Sequence, residues 1–162
     1  MNFQKKCSII GNAGSGKSTL AQRIQNLTRS PILDLDNITW DRARLQKRRP
    51  IEDSEIDLDK FITVNSSSWI VEGCYGELVE RTLSRSPQLI FLDPGEATCL
   101  KNCHGRPWEK HKYPSKEDQD KFLQFLLSWS SDYYRRDGPM SHQFHKNIFE
   151  TYPGDKILIT SF

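Results

Sequence analysis

Nine residues near the amino terminus carry the clearest chemistry: Gly11, Asn12, Ala13, Gly14, Ser15, Gly16, Lys17, Ser18 and Thr19. Gly11, Gly16, Lys17 and Ser18 fill the four fixed positions of the phosphate-cradling pattern G-x-x-x-x-G-K-[ST]. A loop that wraps a polyphosphate turns its backbone N–H groups inward, which needs dihedrals that glycine adopts at little steric cost. The helix that follows adds the positive end of its dipole. A lysine at position 17 suits the β- and γ-phosphates, and the Ser18 hydroxyl suits Mg²⁺.

The surroundings fit that chemistry. Before the loop, Cys7-Ser8-Ile9-Ile10 reads as a buried strand; after it, Leu20, Ala21, Ile24 and Leu27 recur at helical spacing. Strand, glycine loop and helix is the arrangement a phosphate cradle needs.

Other groups announce less. Cys99, Cys103 and His104, with His111 nearby, have helical spacing that could hold part of a zinc site, but no fourth ligand stands out. Cys7, Cys74, Cys99 and Cys103 form no C-x-x-C pair and read as free thiols of a cytoplasmic protein. Arg42, Arg44, Lys47, Arg48 and Arg49 crowd together, and Glu52, Asp53, Glu55, Asp57 and Asp59 follow at once. With a net charge of +2, that alternation reads as a self-compensating surface rather than a nucleic-acid stripe, although an arginine or two can still face an anionic substrate.

The chain has 162 residues, 36% hydrophobic and 27% charged, which suits one domain with a real core. Its longest apolar run, Leu89-Ile90-Phe91-Leu92, is far too short to cross a bilayer, and no signal peptide precedes the first strand. Strands are expected near 3–10, 32–36, 69–73, 89–92 and 156–160. Helices are expected near 17–28, between 37 and 50, from about 52 to 65, over 77–83, around Cys99 to Cys103, over 117–136, and after Ser141. Phe122, Phe125, Trp129 and Tyr133 share one stripe of the long helix and read as core. Strands alternating with helices argue for an α/β fold, a parallel sheet with helices on both faces and ligands at the carboxyl ends of the strands.

The loop 11–19, the segment Leu35-Asp36-x-x-x-Trp40, and Trp69-Ile70-Val71-Glu72-Gly73-Cys74-Tyr75 together resemble the adenylate kinase-like branch of P-loop small-molecule kinases. Leu89 to Pro94 followed by Cys99-Leu100 adds to the likeness, which is greatest to the FlaR-type topology modulation proteins. The resemblance implies a three-layer P-loop NTPase fold with a five-stranded parallel sheet in the order 2-3-1-4-5. It also implies ATP and Mg²⁺, a phosphoryl-acceptor segment over about 36–66, and a lid over about 104–116. In such kinases the lid excludes water and supplies arginines to the moving phosphoryl group. Arg106 is the lid arginine here, with Lys101, Lys110 and Lys112 around it. Arg135 and Arg136 follow from the next helix, where related kinases keep phosphate-binding arginines. Arg106 with Arg135 is thus expected to stabilise the transferring group; alternatively Arg135 and Arg136 only complement the helix dipole.

Shikimate- and gluconate-type kinases have acids after strand two, one near Mg²⁺ and one near the acceptor. On this chain Asp34 takes the metal and substrate side and Asp36 the acceptor hydroxyl, while Arg44 suits a charged acceptor; alternatively one aspartate only caps the next helix. Gly73 and Tyr75 match the strand-three end that acceptors approach, and Arg81 follows. Asp93 either holds a magnesium water or simply ends its strand before Pro94. The expected activity is ATP- and Mg²⁺-dependent phosphotransfer to a small metabolite or nucleotide. The alternatives are a nucleotide-gated nucleic-acid regulator, as the subgroup's name suggests, and a plain NTPase.

Overall fold

The computed structural model describes residues 2–41, 47–110 and 114–161. Strands β1 (Lys6–Gly11), β2 (Ile32–Asp34), β3 (Trp69–Gly73), β4 (Gln88–Leu92) and β5 (Lys156–Ile159) form one sheet in the order β2-β3-β1-β4-β5. Every neighbouring pair is parallel. The helices are α1 (Lys17–Thr28), α2 (Asp36–Thr39), α3 (Ile51–Val64), α4 (Gly76–Thr82), α5 (Glu96–His104), α6 (Lys116–Asp132) and α7 (His142–Thr151). Sheet order, direction and the helices on both faces agree with the expected three-layer fold.

Side-chain alternation along the strands divides the core in two. Ile9, Ile70, Ile90 and Leu92 pack under Leu20, Ala21 and Ile24 of α1. Ile10, Trp69, Val71, Leu89 and Phe91 point the other way, toward α3, α4 and α7. The same alternation aims Glu72 toward the head of α1, because it is two residues beyond Ile70. It aims Asp34 likewise, because it is two beyond Ile32. The register sets Asp34 directly beside Glu72. Two carboxylates therefore face the side of the sheet that α1 covers, as a consequence of parity.

Several local expectations need correction. Leu27 shares the helical spacing of α1 but is 74% exposed and takes no part in the core. Strand β2 ends at Asp34, where the Asp34 carboxylate accepts the N–H of Asp36 and turns the chain into α2. Helix α6 ends at Asp132, so Arg135 and Arg136 lie in the turn beyond it. The aromatic stripe of α6 is not core: Phe125 is 58% exposed, Phe122 and Trp129 are half-buried, and Tyr133 is buried past the helix end. The physical reason is that α6 packs on α5 rather than on the sheet, so its aromatic rings meet chiefly one another.

Among the described residues no helix is long and apolar enough to cross a membrane. Arg48 pairs with Glu77 at 2.5 Å, Arg49 with Asp57 at 2.9 Å, and Arg81 with Asp59 at 2.6 Å. Asp57 and Asp59 of α3 are thus matched by arginines of the same chain.

Candidate active site

The loop between β1 and α1 is shaped by close approach on both sides. Gly14 has φ +76°, and a Cβ on it would lie 2.3 Å from the Cys99 carbonyl and 2.8 Å from Cys103 Sγ. Gly16 caps α1 with φ 97°, a left-handed conformation that strains any other residue. Ser15 N–H donates to the Asn12 carbonyl at 3.2 Å, closing the turn. The N–H groups of Gly14, Gly16, Lys17 and Ser18 donate to no protein acceptor among the described residues. Those of Gly16, Lys17 and Ser18 project from the amino end of α1, where the helix dipole is positive.

At the rim, Lys17 Nζ donates to the Asn12 carbonyl at 2.8 Å, folded over the loop. Ser18 Oγ donates to Glu72 Oε1 at 2.5 Å. Glu72 is 3% exposed at the carboxyl end of β3. Burial above all, and then the Asp34 carboxylate, pushes Glu72 up to about 7; Lys17 and the Ser18 hydroxyl pull the other way. Glu72 therefore holds its proton more readily than an ordinary glutamate, and a cation arriving beside it would favour the carboxylate. Sequence reading passed over Glu72. The signal was present, since an acid inside the otherwise apolar run Trp69-Ile70-Val71 and just before Gly73 has no packing reason to be there.

Beside these groups, Tyr75 ties the turn between β3 and α4 to both ends of α2. Its hydroxyl donates to Asp36 Oδ1 at 2.6 Å and accepts from Trp40 Nε1 at 2.6 Å. Burial holds the phenol proton on, with the nearby Asp36 charge adding to the effect. Gly73, buried beneath, leaves room for Leu35, whose Cβ would stand 2.8 Å from a Cβ at that position. Asp34, Asp36, Gly73 and Tyr75 thus gather with Lys17, Ser18 and Glu72 at the carboxyl ends of β1, β2 and β3. Arg44, the expected anion contact, lies outside the described residues, as do His111 and Lys112 of the lid segment.

The expected cations on the other side divide. Arg106 pairs with Glu109 at 3.1 Å within the lid segment. Arg135 is exposed and bonds Glu96 at 3.3 Å and the Ser131 hydroxyl at 3.0 Å. Arg136 is half-buried: Nε donates to the Met140 carbonyl at 2.8 Å, Nη1 to the Trp129 carbonyl at 2.7 Å, and the guanidinium sits 3.7 Å over the Trp129 ring. Its Nη2 is buried and finds no hydrogen-bond partner among the described residues. Arg136 and Cys74, the residue after Gly73, lie within electrostatic reach of each other.

Asp93 is engaged by the turn after α6 and the start of α7, accepting from the Tyr134 hydroxyl at 2.7 Å and meeting His142 Nε2 at 2.9 Å. Cys99 and Cys103 are buried, and among the described residues no group of three His, Cys, Asp or Glu side chains is disposed to hold a metal. A second unforeseen residue, His145, is fully buried; its Nε2 faces the Cys74 carbonyl at 3.0 Å and its Nδ1 the Tyr133 hydroxyl at 2.7 Å.

No family model matches the chain, and no curated protein matches it in sequence. Solved structures match along nearly its whole length. A gluconokinase from Sinorhizobium meliloti 1021 is 16% identical with a TM-score of 0.53, covering 100% of this chain and 86% of that one. A shikimate kinase from Aquifex aeolicus vf5 is 17% identical with a TM-score of 0.52, covering 94% and 84%. At such identities the likeness concerns the fold. Nothing in these comparisons supports the finer resemblance to FlaR-type topology modulation proteins, which rested on short segments around Trp40 and Tyr75. The chain has the α/β P-loop kinase fold, with its sheet in the order 2-3-1-4-5.

Proposed function

We propose that this protein is an ATP- and Mg²⁺-dependent phosphotransferase acting on a small-molecule acceptor. The observation that carries the reading is the set of unpartnered amides at Gly14, Gly16, Lys17 and Ser18, all at one helix head beside Lys17. Buried or oriented N–H groups without acceptors are costly, and a polyphosphate tail satisfies several at once. The neighbouring gluconokinase and shikimate kinase structures support the same chemistry.

The donor set also fits a magnesium ion. Ser18 Oγ with the Glu72 and Asp34 carboxylates is an all-oxygen group beside the phosphate cradle. When bound, the ion would offset phosphate charge. The chain's own residues do the rest. Lys17 exchanges its bond to the Asn12 carbonyl for the phosphates, and the amides of the loop fix the tail against drift. Asp36, held by Tyr75, orients an acceptor hydroxyl and takes up its proton. Gly73 lets Leu35 pack against the strand end beneath that acceptor, and Arg44 remains a candidate for any charge it bears. Arg136, with an unused N–H, meets the transferring group; Arg106 would join it on leaving Glu109, and Arg135 stays with Glu96.

The test is an ADP-release screen across sugar acids, nucleosides, nucleotides and aromatic acids. The expected result is one class that accelerates ADP release, with Lys17→Ala reducing that rate ~10²–10³-fold. Release that ignores every acceptor and yields free phosphate would mark a plain NTPase.

A further inference from the structure

Glycine makes the phosphate cup possible, but it does not fix which way each peptide plane faces. Two side chains from outside the loop do that. Ser130 Oγ donates to the Ala13 carbonyl at 3.1 Å, and Asn102 Nδ2 donates to the Gly14 carbonyl at 2.8 Å. A trans peptide is planar, with its C=O and N–H pointing opposite ways. Drawing the Ala13 carbonyl outward therefore turns the Gly14 N–H inward. Drawing the Gly14 carbonyl outward turns the Ser15 N–H back across the turn, where it meets the Asn12 carbonyl at 3.2 Å.

The clamp is reinforced from the loop's side. Asn12 Nδ2 donates to the Ser130 carbonyl at 2.8 Å and to its hydroxyl at 3.1 Å, while Asn12 Oδ1 accepts from the Ala13 N–H at 2.8 Å. Asn12 thus spends its side chain on α6 rather than on a ligand. Ser130 is completely buried, and it is the one buried residue of α6 among those described. A helix whose aromatic stripe faces outward yet which buries a single serine against the loop is positioned for that contact.

We propose that Asn102 on α5 and Ser130 on α6 are positioning residues for polyphosphate binding, holding two successive peptide planes of the cup in the binding orientation. They belong to the two helices that bracket the lid segment, so the cup is built in part from the lid's supports. The inference rests on reading the cup as a polyphosphate site.

The experiment is calorimetric titration of the full chain with inorganic tripolyphosphate, well below the melting temperature of each variant. Asn102→Ala and Ser130→Ala are each expected to weaken binding roughly 3- to 10-fold, the worth of one neutral hydrogen bond. Asn102→Gln keeps the amide donor at a solvent-accessible position and is expected to recover most of the loss, which a merely space-filling role would not produce. Unchanged affinity in both alanine variants, or equal loss in Asn102→Gln and Asn102→Ala, overturns the positioning role. A parent protein that ignores tripolyphosphate overturns instead the polyphosphate reading beneath it.

Discussion

Ser18 Oγ and Glu72 Oε1 share a 2.5 Å hydrogen bond that joins the head of α1 to a carboxylate buried at the end of β3. A hydroxyl that serves a metal must first be oriented, and a buried acid is a costly way to orient it unless the charge is used. Glu72→Gln keeps an acceptor for Ser18 and removes the charge. The expected outcome is ~10²-fold slower turnover and a Mg²⁺ requirement moved to higher concentration. Magnesium titrations of initial rate check it; identical curves for parent and variant would assign Glu72 a packing role only.

Tyr75 is expected to act on the acceptor half alone. Tyr75→Phe removes the bonds to Asp36 and from Trp40 without changing the ring. Stability should fall by about 1 kcal/mol in urea denaturation, for the hydrogen bonds lost from a buried phenol. KM for the acceptor should rise while KM for ATP holds. Equal rises in both would mean that the phenol supports the whole site.

The two neighbouring arginines are separable. Arg136 has an unpartnered Nη2 and is braced by Trp129 and two carbonyls, whereas Arg135 is tied to Glu96 at the surface. Arg136→Ala should cost ~10²–10³ in kcat and Arg135→Ala much less. The reverse order would transfer the role to Arg135, as the sequence spacing alone allowed.

What was legible in the chain follows from how local each signal is. The β1–loop–α1 unit was readable in order and type, with α1 exact and β1 starting three residues later than expected, because glycine spacing, an apolar strand and a helical repeat all sit within about twenty positions. Strand β3 was equally plain, yet Glu72 inside it was not seen as a site residue. Its purpose depends on a register with Asp34 and a helix head that are distant in sequence. Periodicity misled at α6: Phe122, Phe125 and Trp129 do repeat at helical spacing, but spacing says which residues share a face, not what covers it. Asn102 and Ser130 carry no sequence signal, since each acts through a carbonyl of Ala13 or Gly14 far along the chain.

His145 gives a pH prediction with a definite sign. Burial, chiefly, lowers its pKa to about 3 from an ordinary 6.5, so the folded state keeps it neutral, one nitrogen donating to Cys74 and the other accepting from Tyr133. The unfolded chain takes up the proton first. Stability from this group is therefore complete above about pH 6.5 and drains away as pH falls toward 3, at up to about 1.4 kcal/mol per pH unit. His145→Gln retains a donor and an acceptor but cannot titrate, so its stability should decline more gently between pH 6.5 and 4.5. Urea denaturation across that range measures it, and parallel acid limbs would contradict the assignment.

The amide resonances of Gly14, Gly16, Lys17 and Ser18 test the central claim most directly. In ¹H–¹⁵N spectra, addition of ATP with Mg²⁺ should move those four signals first and furthest, as their free N–H groups acquire phosphate oxygens. If they stay fixed at saturating nucleotide while signals elsewhere shift, the cup at the head of α1 does not bind the phosphates, and the phosphotransferase reading falls with it.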